Sequence, residues 1–62
     1  GIAGARAGDT LILTDVDGTA RVTLDKVNQT KADVTLIDPS GRFEAGAMVT
    51  CSIACLSREV AS

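Results

Sequence analysis

The chain has 62 residues, a net charge of −2 at pH 7 and no histidine, so we expect one small domain without the commonest general base and metal ligand. Its six Lys and Arg residues are scattered among eight Asp and Glu residues, whereas nucleic acids and anionic membranes attract basic patches. We therefore predict a non-enzymatic protein without a cofactor, with nucleic acid and membranes disfavoured as partners.

Residues 1–8 are small and glycine-rich, and they lack the long apolar stretch of a signal peptide. We expect them to form a flexible arm, either frayed or ordered on a neighbouring subunit. Residues 9–62 are expected to form a single β domain in the cytoplasm or in a virion. Its first strand is predicted around Leu11 and Leu13, which alternate with Thr10, Ile12 and Thr14 over about six residues.

Asp17-Gly18 follows this strand and is a strong signal for a β-hairpin. In the second predicted strand Ala20, Val22 and Leu24 share the inward face. The alternation slips at Lys26-Val27, which predicts a bulge or the end of the strand there.

After a polar turn, the third predicted strand directs Ala32, Val34 and Leu36 inward. Residues 38–41, Asp-Pro-Ser-Gly, fit a type I turn. Phe43 follows in a short alternating piece and is the only aromatic residue of the chain, so we expect it to point into the core.

Residues 45–57 carry no charge. As a strand, this segment would be largely buried on both faces, with Val49, Cys51, Ile53 and Cys55 on one of them. A helical stripe fits the same residues, but the β-branched side chains favour the strand. Residues 57–62 are predicted to form either a short helix or a frayed tail.

Four or five short strands joined by tight turns predict an all-β fold, namely a small antiparallel barrel or sandwich of the SH3-like kind. Seventeen large apolar residues, of which fifteen are Val, Ile or Leu, make a thin core for such a domain. Small scaffolds of this kind usually need disulfides, metals or oligomerisation, so we expect a partner chain.

Residues 8–45 resemble the carbon storage regulator family of bacterial RNA-binding proteins in the order of their short motifs. The matching segments are Gly8-Asp9-Thr10-Leu11, Val22-Thr23-Leu24, Val34-Thr35-Leu36 and Asp38-Pro39. The resemblance implies a small β-barrel. The chain departs from the family where its RNA-contacting arginine would stand, at Gly46-Ala47, so no residue inherits that role. SH3-like virion decoration proteins have similar five-stranded barrels, and a shared fold does not transfer function.

Two groups of side chains are candidates for chemistry. Asp15, Asp17 and Asp25 have the oxygen ligands of a hard-cation site, but no acid completes a calcium loop and a polar hairpin explains them better. Cys51 and Cys55 lie too far apart on a strand for a mutual disulfide, at about 3.3 Å per residue. We expect buried, inert thiols, with pairing across a symmetric interface as the alternative, and no metal site.

The resulting hypothesis is a non-catalytic assembly protein that binds copies of itself or a larger scaffold, such as a virion decoration protein on a capsid. The residues predicted to make the contact are Met48, Val49, Ile53, Leu56, Ile2 and Arg6. The alternative hypothesis is a small RNA-binding translational regulator. Its basic surface would need Arg6, Arg21, Lys26, Lys31 and Arg42.

Overall fold

The computed structural model describes residues 1–39 and 43–59. Five antiparallel strands form one sheet in the order β4-β3-β2-β1-β5. The elements are β1 (Thr10–Asp15), β2 (Gly18–Val27), β3 (Lys31–Leu36), β4 (Met48–Ser52), a 3₁₀ turn (Ile53–Cys55) and β5 (Leu56–Arg58). The all-β prediction is confirmed. The fold is a curved single sheet that resembles a barrel without closing, because no ladder joins β4 to β5 in the described residues.

The hairpin between β1 and β2 forms where Asp17-Gly18 predicts it. Asp15 pairs with Gly18 across the ladder, and Val16 and Asp17 make the turn. The Asp15 carboxylate accepts a hydrogen bond of 2.7 Å from the Asp17 backbone N–H, a local bond that favours turns. Gly18 has a φ of +124°, which side chains with a Cβ rarely adopt.

The slip in the alternation, predicted at Lys26-Val27 as a bulge or a strand end, corresponds to a bulge between Leu24 and Lys26 and to the end of β2 at Val27. Leu24 pairs with Val34, but the next pair is Lys26 with Asp33, so Asp25 is the extra residue. Its carboxylate accepts a hydrogen bond from the Thr35 hydroxyl. The bulge ends the inward alternation of β2, since Lys26 and Val27 are both exposed.

The core consists of the inward residues of the first three strands with one residue from each end of the chain. The predicted inward residues Leu11, Leu13, Val22, Leu24, Ala32, Val34 and Leu36 are all buried, together with Ile2 and Leu56. Ala20 and Phe43 are half-buried against this cluster. Phe43 makes only an isolated bridge. The last two residues of the predicted type I turn, 40 and 41, lie outside the described part.

The N-terminal segment predicted as an arm lies against the sheet. Ile2 is 6% exposed, and its carbonyl accepts a 2.9 Å hydrogen bond from the Ala5 N–H in a local turn. Gly8 donates to the Leu24 carbonyl at 2.8 Å. The Arg58 guanidinium donates to the Ala3 carbonyl at 2.6 Å, which joins this segment to β5.

The expectations for the C-terminal part need three corrections. The strand favoured there ends at Ser52 instead of continuing through Cys55, because the Ser52 hydroxyl accepts from the Ala54 N–H and caps a 3₁₀ turn. Its two faces are not both buried, since β4 lies at the edge of the sheet and Met48 is 79% exposed. The helix proposed for residues 57–62 does not begin at Ser57, which lies in β5; residues 60–62 are outside the described part.

No helix in the described residues is long and apolar enough to cross a membrane.

Candidate interaction surface

The outer edge of β4 is the main unpaired backbone surface of the sheet. β4 has a neighbour only on its β3 side in the described part of the chain. The Leu36 N–H donates to the Ala47 carbonyl, and the Ile53 N–H donates to the Thr30 carbonyl. Antiparallel ladders alternate bonded and non-bonded residues. The residues of β4 that turn their backbone N–H and C=O groups away from β3 are therefore Met48, Thr50 and Ser52.

This outer edge carries none of the features with which proteins usually protect an edge strand. Natural edges are short, charged, bulged or broken by proline. β4 has five residues, Met-Val-Thr-Cys-Ser, with no charge, no proline and no register shift against β3. The opposite edge, β5, has only three residues, and one of them is Arg58. The sheet is thus open on the β4 side and better protected on the β5 side.

The side chains of β4 divide into an outer and an inner face. Met48, Thr50 and Ser52 are exposed, while Val49 and Cys51 are half-buried against the core. The Thr50 hydroxyl donates a 2.7 Å hydrogen bond to the Asp33 carboxylate on β3. This bond links the uncharged outer face of β4 to a carboxylate on the neighbouring strand.

The residues predicted to make contacts fall into two groups. Met48 is highly exposed, Arg6 is exposed, and Val49 and Ile53 are half-buried. Leu56 and Ile2 are buried in the core, at 4% and 6% exposure. The last two side chains therefore belong to the core and stabilise the domain itself.

A shallow groove of about 370 Å³ lies at the end of the sheet where the N-terminal segment, the β2–β3 turn and the 3₁₀ turn meet. Ile2, Ala5, Val27 and Ile53 contribute its apolar lining. It is open to solvent, and the polar side chains that border it are the neutral amides of Asn28 and Gln29. The groove offers apolar contact area beside β4 without a charged or nucleophilic group.

The two cysteines are free thiols that are half-buried. Burial raises the pKa of the Cys51 thiol, with smaller contributions from Cys55 and from the Asp33 carboxylate. A raised pKa keeps the protonated thiol, which is the weaker nucleophile and metal ligand. Cys51 is therefore suited to packing on the inner face of β4 rather than to chemistry at neutral pH.

The three aspartates considered for a cation lie apart. Asp15 and Asp17 lie at the β1–β2 turn. Asp25 lies at the bulge of β2, seven residues beyond Gly18, so about 23 Å of strand separates Asp25 from the turn. In residues 1–39 and 43–59, no three His, Cys, Asp or Glu side chains are grouped to hold a metal.

The basic residues of the RNA-binding alternative are only partly brought together. Lys26 and Lys31 line a shallow groove on the sheet together with Asp33. Arg21 forms a 3.2 Å ion pair with Glu59. Arg42 lies outside the described residues.

Sequence reasoning missed Thr50 and Ser52 as surface residues because it treated both faces of β4 as buried. Their alternation with Val49 and Cys51 is visible in the sequence, and they are the more polar set. Ser52 before Ile-Ala-Cys was also a recognisable cap for the turn that follows.

No model of a known protein family, no characterised protein and no solved structure matches this chain. The resemblance to the carbon storage regulator family therefore stays a prediction.

Proposed function

We propose that this protein is a non-catalytic assembly module that binds copies of itself or a larger protein scaffold by adding a strand to the outer edge of β4. A decoration protein on a virion capsid is one setting that fits such a module. The observation that carries the proposal is the five-residue, uncharged and unprotected edge of β4.

The chemistry of this edge selects an extended polypeptide as its partner. Met48, Thr50 and Ser52 present alternating backbone donors and acceptors, and such groups are matched by the backbone of another strand. Because β4 carries no charge, a partner strand does not need charged side chains to match it. Long-range electrostatic attraction therefore contributes little to the rate of encounter. The exposed Met48 side chain adds an adaptable apolar contact beside the backbone ladder.

A fluorescent peptide with the sequence of residues 47–53, carrying C51S to prevent oxidation, tests whether the edge accepts a strand. We expect saturable binding to the full chain by fluorescence anisotropy, with little change as salt is raised. A control peptide with proline at positions 49 and 50 lacks one backbone donor on each of its edges, and it should not bind.

Two variants of the protein complete this test. Thr50→Pro removes an N–H that points away from β3, so it should abolish peptide binding while the sheet stays folded. Thr50→Val removes the hydroxyl bond to Asp33 but keeps the N–H, so it should still bind. Equal binding of the peptide by wild type and Thr50→Pro, or binding to neither, would refute strand addition at β4.

A further inference from the structure

The β4 edge also has the properties needed to pair with its own copy. We infer that the strand added to it is β4 of a second chain, in antiparallel orientation about a two-fold axis through Thr50. This inference rests on the proposed function, since it names the partner for the same edge.

The backbone pattern of β4 determines where the axis lies. With the axis at Thr50, all five residues of β4 face residues of the second β4. Thr50 then exchanges two backbone hydrogen bonds with Thr50 of the second chain. Met48 of each chain exchanges two backbone hydrogen bonds with Ser52 of the other chain. Moving the axis to Val49 or Cys51 leaves only three strand residues opposed, because β4 begins at Met48 and the 3₁₀ turn begins at Ile53. The register at Thr50 therefore makes the longest ladder.

The charges near the edge permit this pairing. β4 itself is neutral, and the nearest charges opposite it are Lys31 and Asp33 on β3. In the dimer, Asp33 and its copy are separated by three strand spacings of about 4.8 Å each, about 14 Å in all. This separation exceeds the screening length of about 8 Å at physiological ionic strength. Like charges therefore do not oppose the second copy.

The pairing also closes on itself. A two-fold interface uses the same surface on both chains and leaves no copy of that surface free. The remaining edge, β5, is short, and its Arg58 is bound to the Ala3 carbonyl of its own chain. We therefore expect dimers instead of extended fibres.

The register makes a distinctive prediction about the inner face of β4. With the axis at Thr50, Val49 faces Cys51 of the second copy in a non-hydrogen-bonded pair. Such pairs have Cα atoms about 4.5 Å apart, within the range that a disulfide bridges. Cys51 does not face its own copy in this register.

The test uses thiol cross-linking in a Cys55→Ser background, so that Cys51 is the only native thiol. Adding Val49→Cys should give covalent dimers with the oxidant diamide, which takes up the two thiol hydrogens as the sulfurs join. Most of the chain should run at twice its mass on a non-reducing gel. The Cys55→Ser protein alone should stay monomeric on the gel. Adding Thr50→Pro to the Val49→Cys protein should abolish the cross-link, with circular dichroism confirming that each variant is folded.

Other outcomes overturn the inference in ways that can be told apart. Efficient cross-linking of the Cys55→Ser protein alone would mean that Cys51 faces its own copy, which refutes the axis at Thr50. An absence of cross-linking in the Val49→Cys protein, with a monomeric mass in sedimentation at millimolar concentration, would refute the second copy as partner. If the peptide of residues 47–53 still binds in that case, strand addition at β4 survives and only the identity of the partner is wrong.

Discussion

The burial of Ile2 leads to a quantitative prediction about the N-terminal segment. Ile2 is 6% exposed and belongs to the core cluster, although it lies in the segment that the sequence suggests is a flexible arm. Ile2→Ala removes buried methyl and methylene groups, and such truncations cost about 2–5 kcal/mol. We expect about 2–3 kcal/mol here, the lower part of that range, because the segment that holds Ile2 belongs to no strand and can relax around the cavity.

This loss is large for a chain of 62 residues, whose total stability should be roughly 3–9 kcal/mol at typical values per residue. The melting temperature should fall by about 10–20 °C. Val16→Ala is the matched control, because Val16 is 96% exposed at the β1–β2 turn and surface substitutions change stability by about 0.5 kcal/mol at most.

The assay is urea and thermal unfolding followed by circular dichroism at low micromolar concentration, where association is minimal. If Ile2→Ala and Val16→Ala have the same small effect, Ile2 does not contribute to the core in solution. Residues 1–8 would then behave as the arm that their composition suggests, and the account of the core given above would be wrong.

Two further predictions concern the β1–β2 turn and the Cys51 thiol. Gly18→Ala should lower the free energy of unfolding by about 1–3 kcal/mol, because Gly18 has a φ of +124° that strains a residue with a Cβ. The added Cβ would meet no atom within 4 Å, so backbone strain and not a steric clash causes the loss. An unchanged urea midpoint would contradict this strain. Because burial raises the pKa of the Cys51 thiol in the folded state, the folded chain holds its proton longer than the unfolded chain. Stability should therefore be retained below the ordinary value of 9.0 and fall as pH rises above it. Under reducing conditions Cys51→Ala should flatten this fall, and an identical pH dependence in both proteins would contradict the assignment.

The parts of the fold that follow a local period could be predicted from the sequence. Val22 and Leu24 alternate with polar residues, and a strand with one buried face requires that pattern. A slip in the same pattern at Lys26-Val27 indicates a bulge or a strand end, and the bulge lies directly before it, at Asp25. These features depend on neighbours a few residues away, so a single sequence carries them.

The parts that depend on distant contacts could not be read in this way. Ile2 stands alone among glycine and alanine, and its burial depends on elements far along the chain. Over residues 45–57 as a whole both faces contain apolar residues, so the polar alternation of Thr50 and Ser52 within β4 is easily overlooked. The position of β4 at the edge results from the order of strands in the sheet, which no local pattern encodes. Of the residues predicted to make contacts, Met48 and Val49 lie in β4, whereas Leu56 and Ile2 are buried in the core.

The most direct test of an open β4 edge is amide hydrogen exchange measured by NMR on the wild-type chain as its concentration is raised. At low concentration the N–H groups of Met48, Thr50 and Ser52 should exchange rapidly, whereas those of Val49 and Cys51, bonded to β3, should be protected. At high concentration the first three should become protected while the mass doubles. Protection of Thr50 in the dilute monomer would mean that the edge is already covered. Rapid exchange of Thr50 in the associated state would place the contact elsewhere, and either result would contradict assembly through β4.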